Sequence, residues 1–254
     1  MNTLHAEARQ VKATNGWNWI VEGFQLFKRS PVIWIALFFV YLLIGMGLSM
    51  LKLVGPIILN LLAPVFVAGF MLGCRALDRD EELEINHLFA GFRHHTAQLI
   101  TVGGVYLAGI IIIVGIMFAG SDSSALQGML SGQKMDPQQA KEVSDRVLLP
   151  ALLALFLMVP LIMAYWFAPI LVAFHGLSGL EAMKQSFKAC LRNILPFFVY
   201  SLISMVLLLL AAIPFGLGLL VMIPTMTASL YVSYKDIFGT EALTSEELAA
   251  EDNQ

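Results

Sequence analysis

One short pattern is written three times inside long apolar runs, and it restricts this chain to a repetitive helical architecture. Ala63-Pro64-Val65-Phe66-Val67-Ala68, Ala168-Pro169-Ile170-Leu171-Val172-Ala173 and Ile223-Pro224-Thr225-Met226-Thr227-Ala228 each place an alanine four residues after a proline. Upstream of each, in a separate apolar run, lies a tyrosine: Tyr41, Tyr106 and Tyr200. Tyr41 precedes Pro64 by 23 residues and Tyr200 precedes Pro224 by 24, whereas Tyr106 precedes Pro169 by 63. The middle unit therefore carries about 40 extra residues, and the chain reads as three helical hairpins with one insertion.

Composition says where such hairpins must live. Hydrophobic residues make up 58% of the chain, charged residues only 13%, and the mean hydropathy is +0.79. Soluble domains carry about twice that charge. The apolar runs, at 32–51, 55–74, 99–119, 147–174, 195–213 and 215–234, reach the ~20 residues needed to cross a ~30 Å hydrocarbon core. An all-α polytopic membrane protein of about six transmembrane helices is expected. The fourth run is too long for a bilayer and is expected to project, tilt or break at Pro150 or Pro160. The first 14 residues are polar and the first apolar run is long enough to span, so no cleavable signal peptide is expected. Cys74 and Cys190 fall beside charged segments and are expected to be free thiols.

The cations give an orientation. With the N-terminus inside, eleven Lys and Arg fall on cytoplasmic segments and four on outer ones (Lys52, Lys134, Lys141, Arg146), which places both termini in the cytoplasm. Residues 14–77 then form hairpin 1, 78–180 hairpin 2 with an outer polar insertion at 120–146, 181–238 hairpin 3, and 239–254 an acidic cytoplasmic tail. The insertion contains a helix-start signal, Asp136-Pro137-Gln138-Gln139, and predicts a small helical hairpin outside the membrane.

Each hairpin is preceded by an amphipathic segment. Trp17, Ile20, Phe24 and Phe27 form one helical face of the first, opposite Asn15, Asn18, Glu22, Gln25 and Arg29. In the third, Leu180, Met183, Phe187, Leu191 and Ile194 oppose Glu181, Lys184, Lys188 and Arg192. The second, around Ile85, Leu88, Phe89 and Phe92, follows an acidic run. Helices of this pattern lie in the interface plane, apolar side down and basic edge toward anionic headgroups; the plainer alternative is that they turn the chain and pack on their neighbours. The interfacial contacts expected are Trp17, Phe24, Phe27, Phe89, Phe92, Lys184, Lys188 and Arg192. Trp17, Trp19, Trp34 and Trp166 suit interfacial anchoring.

Nothing in the spans points to catalysis. Asp, Glu, Lys, Arg and His are missing from their middles, where pumps and intramembrane hydrolases keep costly ionisable groups. His87, His94, His95, His175 and the cysteines match no strong ligand spacing, so neither a metal nor a cofactor is expected. Interruption of the basic residues by lipid-directed apolar ones argues against nucleic acid. The prolines free carbonyls at Asn60, Tyr165 and Leu220, and Ala68, Ala173 and Ala228 permit close helix approach one turn on. Kinks at Pro64, Pro169 and Pro224 at matching depth would suit a pseudo-threefold bundle.

Gly16-Trp17-Asn18-Trp19, then Gly23-Phe24-Gln25-Leu26-Phe27, then Pro31 resembles the opening of a family of uncharacterised proteobacterial inner-membrane proteins. Leu88-Phe89-Ala90-Gly91-Phe92 after an acidic run, and Glu181 to Phe187 leading to Asn193, extend the likeness over nearly the whole chain. More distantly it is similar to YciC-like proteins and to the membrane domain attached to some glycerophosphodiester phosphodiesterases, whose catalytic domain has no counterpart here. The resemblance implies the inner membrane of a Gram-negative bacterium and no particular activity. The expectation is a non-enzymatic scaffold, partner subunit or lipid-organising module that meets anionic lipid or a membrane protein partner. The competing expectation is a passive channel or transporter for a neutral or amphipathic solute, with a path near Asn60, Tyr165 and Thr225.

Overall fold

A computed structural model describes residues 8–52, 54–120 and 137–239. All regular structure in these residues is helical: α1 (Asn15–Arg29), α2 (Pro31–Ser49), α3 (Val54–Asp78), a 3-10 helix (Ile85–Phe92), α4 (Thr96–Gly120), α5 (Pro137–Trp166), α6 (Ala168–His175), α7 (Gly179–Arg192), α8 (Ile194–Ala212) and α9 (Leu219–Phe238). The hairpins are α2–α3, α4 with α5–α6, and α8–α9.

Five segments are long and apolar enough to cross a membrane: Pro31–Ser49, Val54–Asp78, Thr96–Ala119, Val147–His175 and Ile194–Ala212. The expected sixth span falls on α9, whose 20 residues have the length, ~30 Å, but not the apolarity of the five. It is less apolar than the others because its second half carries Ser229, Tyr231, Ser233, Tyr234, Lys235 and Asp236. Those groups face protein rather than lipid, with Tyr231, Ser229 and Tyr234 all fully buried.

The amphipathic segments gather at one end of the bundle and form a collar. Each packs chiefly on the second helix of the preceding hairpin: the 3-10 helix on α3, α7 on α5 and α6, and α1, closing the circle, on α9. The three units are thus bound by cyclic exchange of their amphipathic pieces. Glycine makes these crossings close. A Cβ on Gly23 would lie 2.7 Å from the Ser229 amide nitrogen and 2.8 Å from the Thr225 carbonyl, and one on Gly16 would strike the Pro196 carbonyl. On α3, a Cβ at Gly69 would meet the Leu88 and His87 carbonyls, and Gly91 of the 3-10 helix lies under the Val65 carbonyl.

The core fills the collar end, between α3, α6 and α9, where Met71, Cys74, Leu171, Phe174, Tyr231 and Tyr234 are almost wholly buried. Toward the far end α2, α5 and α8 display Leu43, Leu149, Phe156 and Leu209, as lipid-facing helices must. The repeat tyrosines perform one task in three forms, each touching the second arm of its own hairpin. Tyr41 meets Phe66 edge-on at 5.3 Å, Tyr106 packs on Tyr165 at 4.5 Å, and Tyr200 hydrogen-bonds Ser229 at 2.7 Å.

The prolines behave less alike than expected. Pro64 and Pro224 lie inside α3 and α9, which continue through them, and α5 likewise continues through Pro150 and Pro160. Only near Pro169 does a helix break, at Phe167 between α5 and α6. There the buried Ser186 hydroxyl of α7 enters the ladder, accepting from the Phe167 amide at 2.9 Å and donating to the Met163 carbonyl at 2.7 Å. These are the two groups an unbroken helix would have joined to each other. Gly176 ends α6 in the left-handed conformation, φ +60°, which glycine adopts without strain.

The helix start expected near Asp136 appears as Pro137 in the first position of α5, which runs unbroken for 30 residues, about 45 Å, and so outreaches a bilayer. The remainder of the expected outer hairpin, at 121–136, and the tail from 240 lie outside the described residues.

Candidate functional site

The collar presents three faces. Its buried face is built from small residues as much as large ones, because neighbouring backbones come so near. In α1 it comprises Gly16, Trp19, Ile20, Gly23, Leu26 and Phe27, and in α7 Gly179, Ala182, Met183, Ser186, Ala189 and Cys190. Two expectations change here. Phe27 is 5% exposed and belongs to the core, at the inner edge of the face it shares with Trp17 and Phe24, its ring stacked on Phe24 at 6.2 Å. Trp19 and Trp34 are core residues as well and Trp166 is half-buried, so of the four tryptophans only Trp17 is exposed.

The second face is apolar and open. Trp17 and Phe24 are 48% and 40% exposed, and the Lys28 ammonium stands 5.2 Å above the Phe24 ring. In the 3-10 helix Leu88 and Gly91 turn inward, while Phe89 and Phe92 form an outward column beside Phe66. Three residues per turn stack positions three apart, which keeps that column straight. Glu84 and His87 cap this helix reciprocally. On α7 the outward apolar residues are Leu180 and Leu191, with Ile194 following. Lys184 and Lys188 are exposed beside them, Lys184 3.9 Å from Glu181. Arg192 is exposed but committed, donating to the Ala8 carbonyl at 2.9 Å.

The third face is polar and does not simply look into solvent. Asn15, Asn18, Glu22, Gln25 and Arg29 form one wall of a cleft of about 370 Å³, and Asp78, Tyr231, Lys235 and Asp236 form the other. Asp236 accepts from Asn15 at 2.7 Å and from the Trp19 indole at 2.8 Å, and pairs with Arg9. Asp78 accepts from Lys235 at 2.5 Å and from Tyr231 at 3.2 Å. Arg29 pairs with Asp80 at 2.8 Å and donates to the Leu77 carbonyl. Burial first, then the nearby Asp236 and Asp78 carboxylates, raise the Glu22 carboxyl above its ordinary value, with Lys235 opposing. Asn193, fully buried, holds the N-terminal lead: its side chain accepts from the Val11 amide and donates to the Arg9 and Ala189 carbonyls.

Pro64, Pro169 and Pro224 are buried, as are Ala68 and Ala228, while Ala173 is partly exposed. The groups expected along a solute path do not converge. The Asn60 amide bonds its own helix at the Pro56 carbonyl, Tyr165 packs on Tyr106, and buried Thr225 bonds back to Val221. The freed Asn60 carbonyl lies against Gly103, where a Cβ would sit 2.9 Å away. Both cysteines are free and buried, and burial pushes the Cys190 thiol up to about 12 against a lowering hydrogen bond from Ser186. From sequence, Ser186 and Asn193 stand only within the family likeness and Asp78 only in the acidic run, with no role assigned to them or to Asp236. Their one signal is a polar residue inside an otherwise apolar or small-residue face.

Comparison with known proteins places the chain. No family model matches it, and no solved structure does. A Burkholderia thailandensis protein named as a probable inner membrane protein is 32% identical, across 91% of this chain and 94% of its own length. With five apolar segments of spanning length arranged around a shared core, the chain belongs to the family of that inner membrane protein.

Proposed function

We propose that the protein is a non-enzymatic, lipid-organising module of the inner membrane. Its collar sits in the headgroup layer of the cytoplasmic leaflet, with both termini on that side. The observation that carries this reading is the open apolar face on all three collar segments at one end of the bundle: Trp17 and Phe24, Phe89 and Phe92, Leu180 and Leu191. Aromatic rings with a polar environment beside them favour the membrane–water boundary, and Lys28, Lys184 and Lys188 supply cations for anionic headgroups. The excess of Lys and Arg in collar-side segments supports the orientation.

The test is lipid retention. Purified in native lipid discs, the protein should hold anionic phospholipid above its bulk fraction, and Lys184→Glu with Lys188→Glu should reduce that enrichment severalfold at low salt, at ~1 kcal/mol per basic residue near a charged surface. Unchanged enrichment in the double variant would remove the electrostatic role. A reporter fused after Asp236 that behaves as periplasmic would overturn the orientation.

A further inference from the structure

Between hairpins 1 and 3 the bundle does not close. α2 is pinned at its collar end, where Trp34 and Leu37 are fully buried, but beyond them it stands away from α9. The gap holds two apolar lobes of about 400 and 600 Å³. They share Phe38, Tyr41 and Ile223 and so form one groove. Its deep lobe is aromatic: Phe38 and Phe70 stack at 4.7 Å, Tyr41 stands edge-on to Phe66 and Phe70, and Trp166 and Tyr200 form the back wall. The outer lobe is mainly aliphatic beyond Phe39, with Leu42 and Met46 on α2 and Leu219 and Leu220 on α9.

Tyr41 stands at the junction, eleventh of the 19 residues of α2 and so near mid-membrane. Its hydroxyl makes no hydrogen bond among the described residues and is not sealed in protein. Tyr200, its repeat counterpart, is satisfied by Ser229. An open phenol in hydrocarbon calls for an acceptor. An acyl chain at that depth offers only methylene groups, and an apolar cavity does not hold water.

We propose that this groove binds a prenylated quinone. The ring lies in the deep lobe against the aromatic walls, a ring carbonyl accepts from Tyr41, and the tail leaves along the outer lobe. From Tyr41 to Ser49 that lobe follows α2 for about 12 Å, at ~1.5 Å per residue. There the exposed Leu42 and Met46 open it to the bilayer, so tail length is not restricted. The site deepens the lipid-organising reading by naming a lipid class, and it rests on that reading only for the placement of the protein in a bilayer.

The experiment is titration of the whole protein, in lipid discs, with a decyl-tailed benzoquinone, read as saturable quenching of tryptophan fluorescence. Trp166 lines the lobe and Trp34 stacks on Phe38 and Phe70 beside it. Tyr41→Phe keeps the ring and removes the donor, and should weaken binding about three- to tenfold, the worth of one hydrogen bond. Ile223→Trp, filling the shared neck, should abolish it, and Leu220→Trp, on the exposed outer lobe, should do so for tailed but not tailless quinone. Quenching that never saturates, or that is unchanged in Tyr41→Phe and Ile223→Trp, overturns the site. So does native mass spectrometry showing a phospholipid retained by wild type and displaced by Ile223→Trp. Quinone binding lost with anionic-lipid enrichment intact sinks this site alone; enrichment insensitive to Lys184→Glu with Lys188→Glu, with quinone still bound, sinks the collar reading alone.

Discussion

Two seams join hairpin 1 to its neighbours, and they are built on opposite plans. Where α3 meets α4, Gly103 lies against the Leu61 and Asn60 carbonyls, at 2.6 and 2.9 Å from where its Cβ would be. Where α2 faces α9, the glycine of α2 that lines the gap meets almost nothing: a Cβ on Gly45 would have only the Leu59 side chain near it, at 3.8 Å. Glycine in a spanning helix therefore has two meanings. Facing a backbone it allows helices to touch, and in lipid such contact is the main source of association. Facing a gap it leaves a helix uncommitted, and here the gap becomes a groove.

Making the tight seam bulky is the strongest way to test this contrast. Gly103→Val should separate α3 from α4 and destabilise the bundle by ~1–3 kcal/mol or more, as overpacking does, read as a lowered midpoint in detergent unfolding. A midpoint equal to wild type would mean that the seam is not close-packed. Next comes Ser186→Ala, which strands the Phe167 amide and the Met163 carbonyl inside the protein at about 1–3 kcal/mol. Ser186→Gly should behave the same way, and an unperturbed variant would show that the break near Pro169 closes without the hydroxyl. The smallest effect belongs to the open seam: Gly45→Ala should change stability by less than ~0.5 kcal/mol, or raise it through helix propensity. A loss like that of Gly103→Val would erase the distinction between the seams.

The collar teaches the same lesson in another setting. Periodicity placed Trp17, Ile20, Phe24 and Phe27 on one face, and it is a helix face, but it straddles two environments. Ile20 and Phe27 turn to the core while Trp17 and Phe24 turn outward. Hydrophobicity alone does not separate a lipid-facing ring from a protein-facing one, because both surroundings are apolar. The better guide is glycine: Gly16 and Gly23, seven residues apart, mark the side that meets α8 and α9. In α7 the packed face, with Ala182, Ser186 and Ala189, carries so little hydrophobicity that a search for large apolar residues passes over it. The polar stripe of α1 was legible as a stripe, yet its destination was not. Asp78 and Asp236, which line the cleft opposite it, lie 56 and 214 residues beyond Glu22.

The sequence by itself determined the class of molecule, the three-unit repeat, the positions of the apolar segments and the presence of an amphipathic piece before each hairpin. These follow from composition, run length and spacing, which are properties of neighbouring residues. Tertiary structure alone decided that each amphipathic piece serves the preceding hairpin, that Ser186 repairs one broken helix, that α9 can afford a polar half, and that one seam stays open. Each of those depends on whether a Cβ or a hydroxyl fits against a backbone far away in the chain, and such a fit leaves no periodic trace.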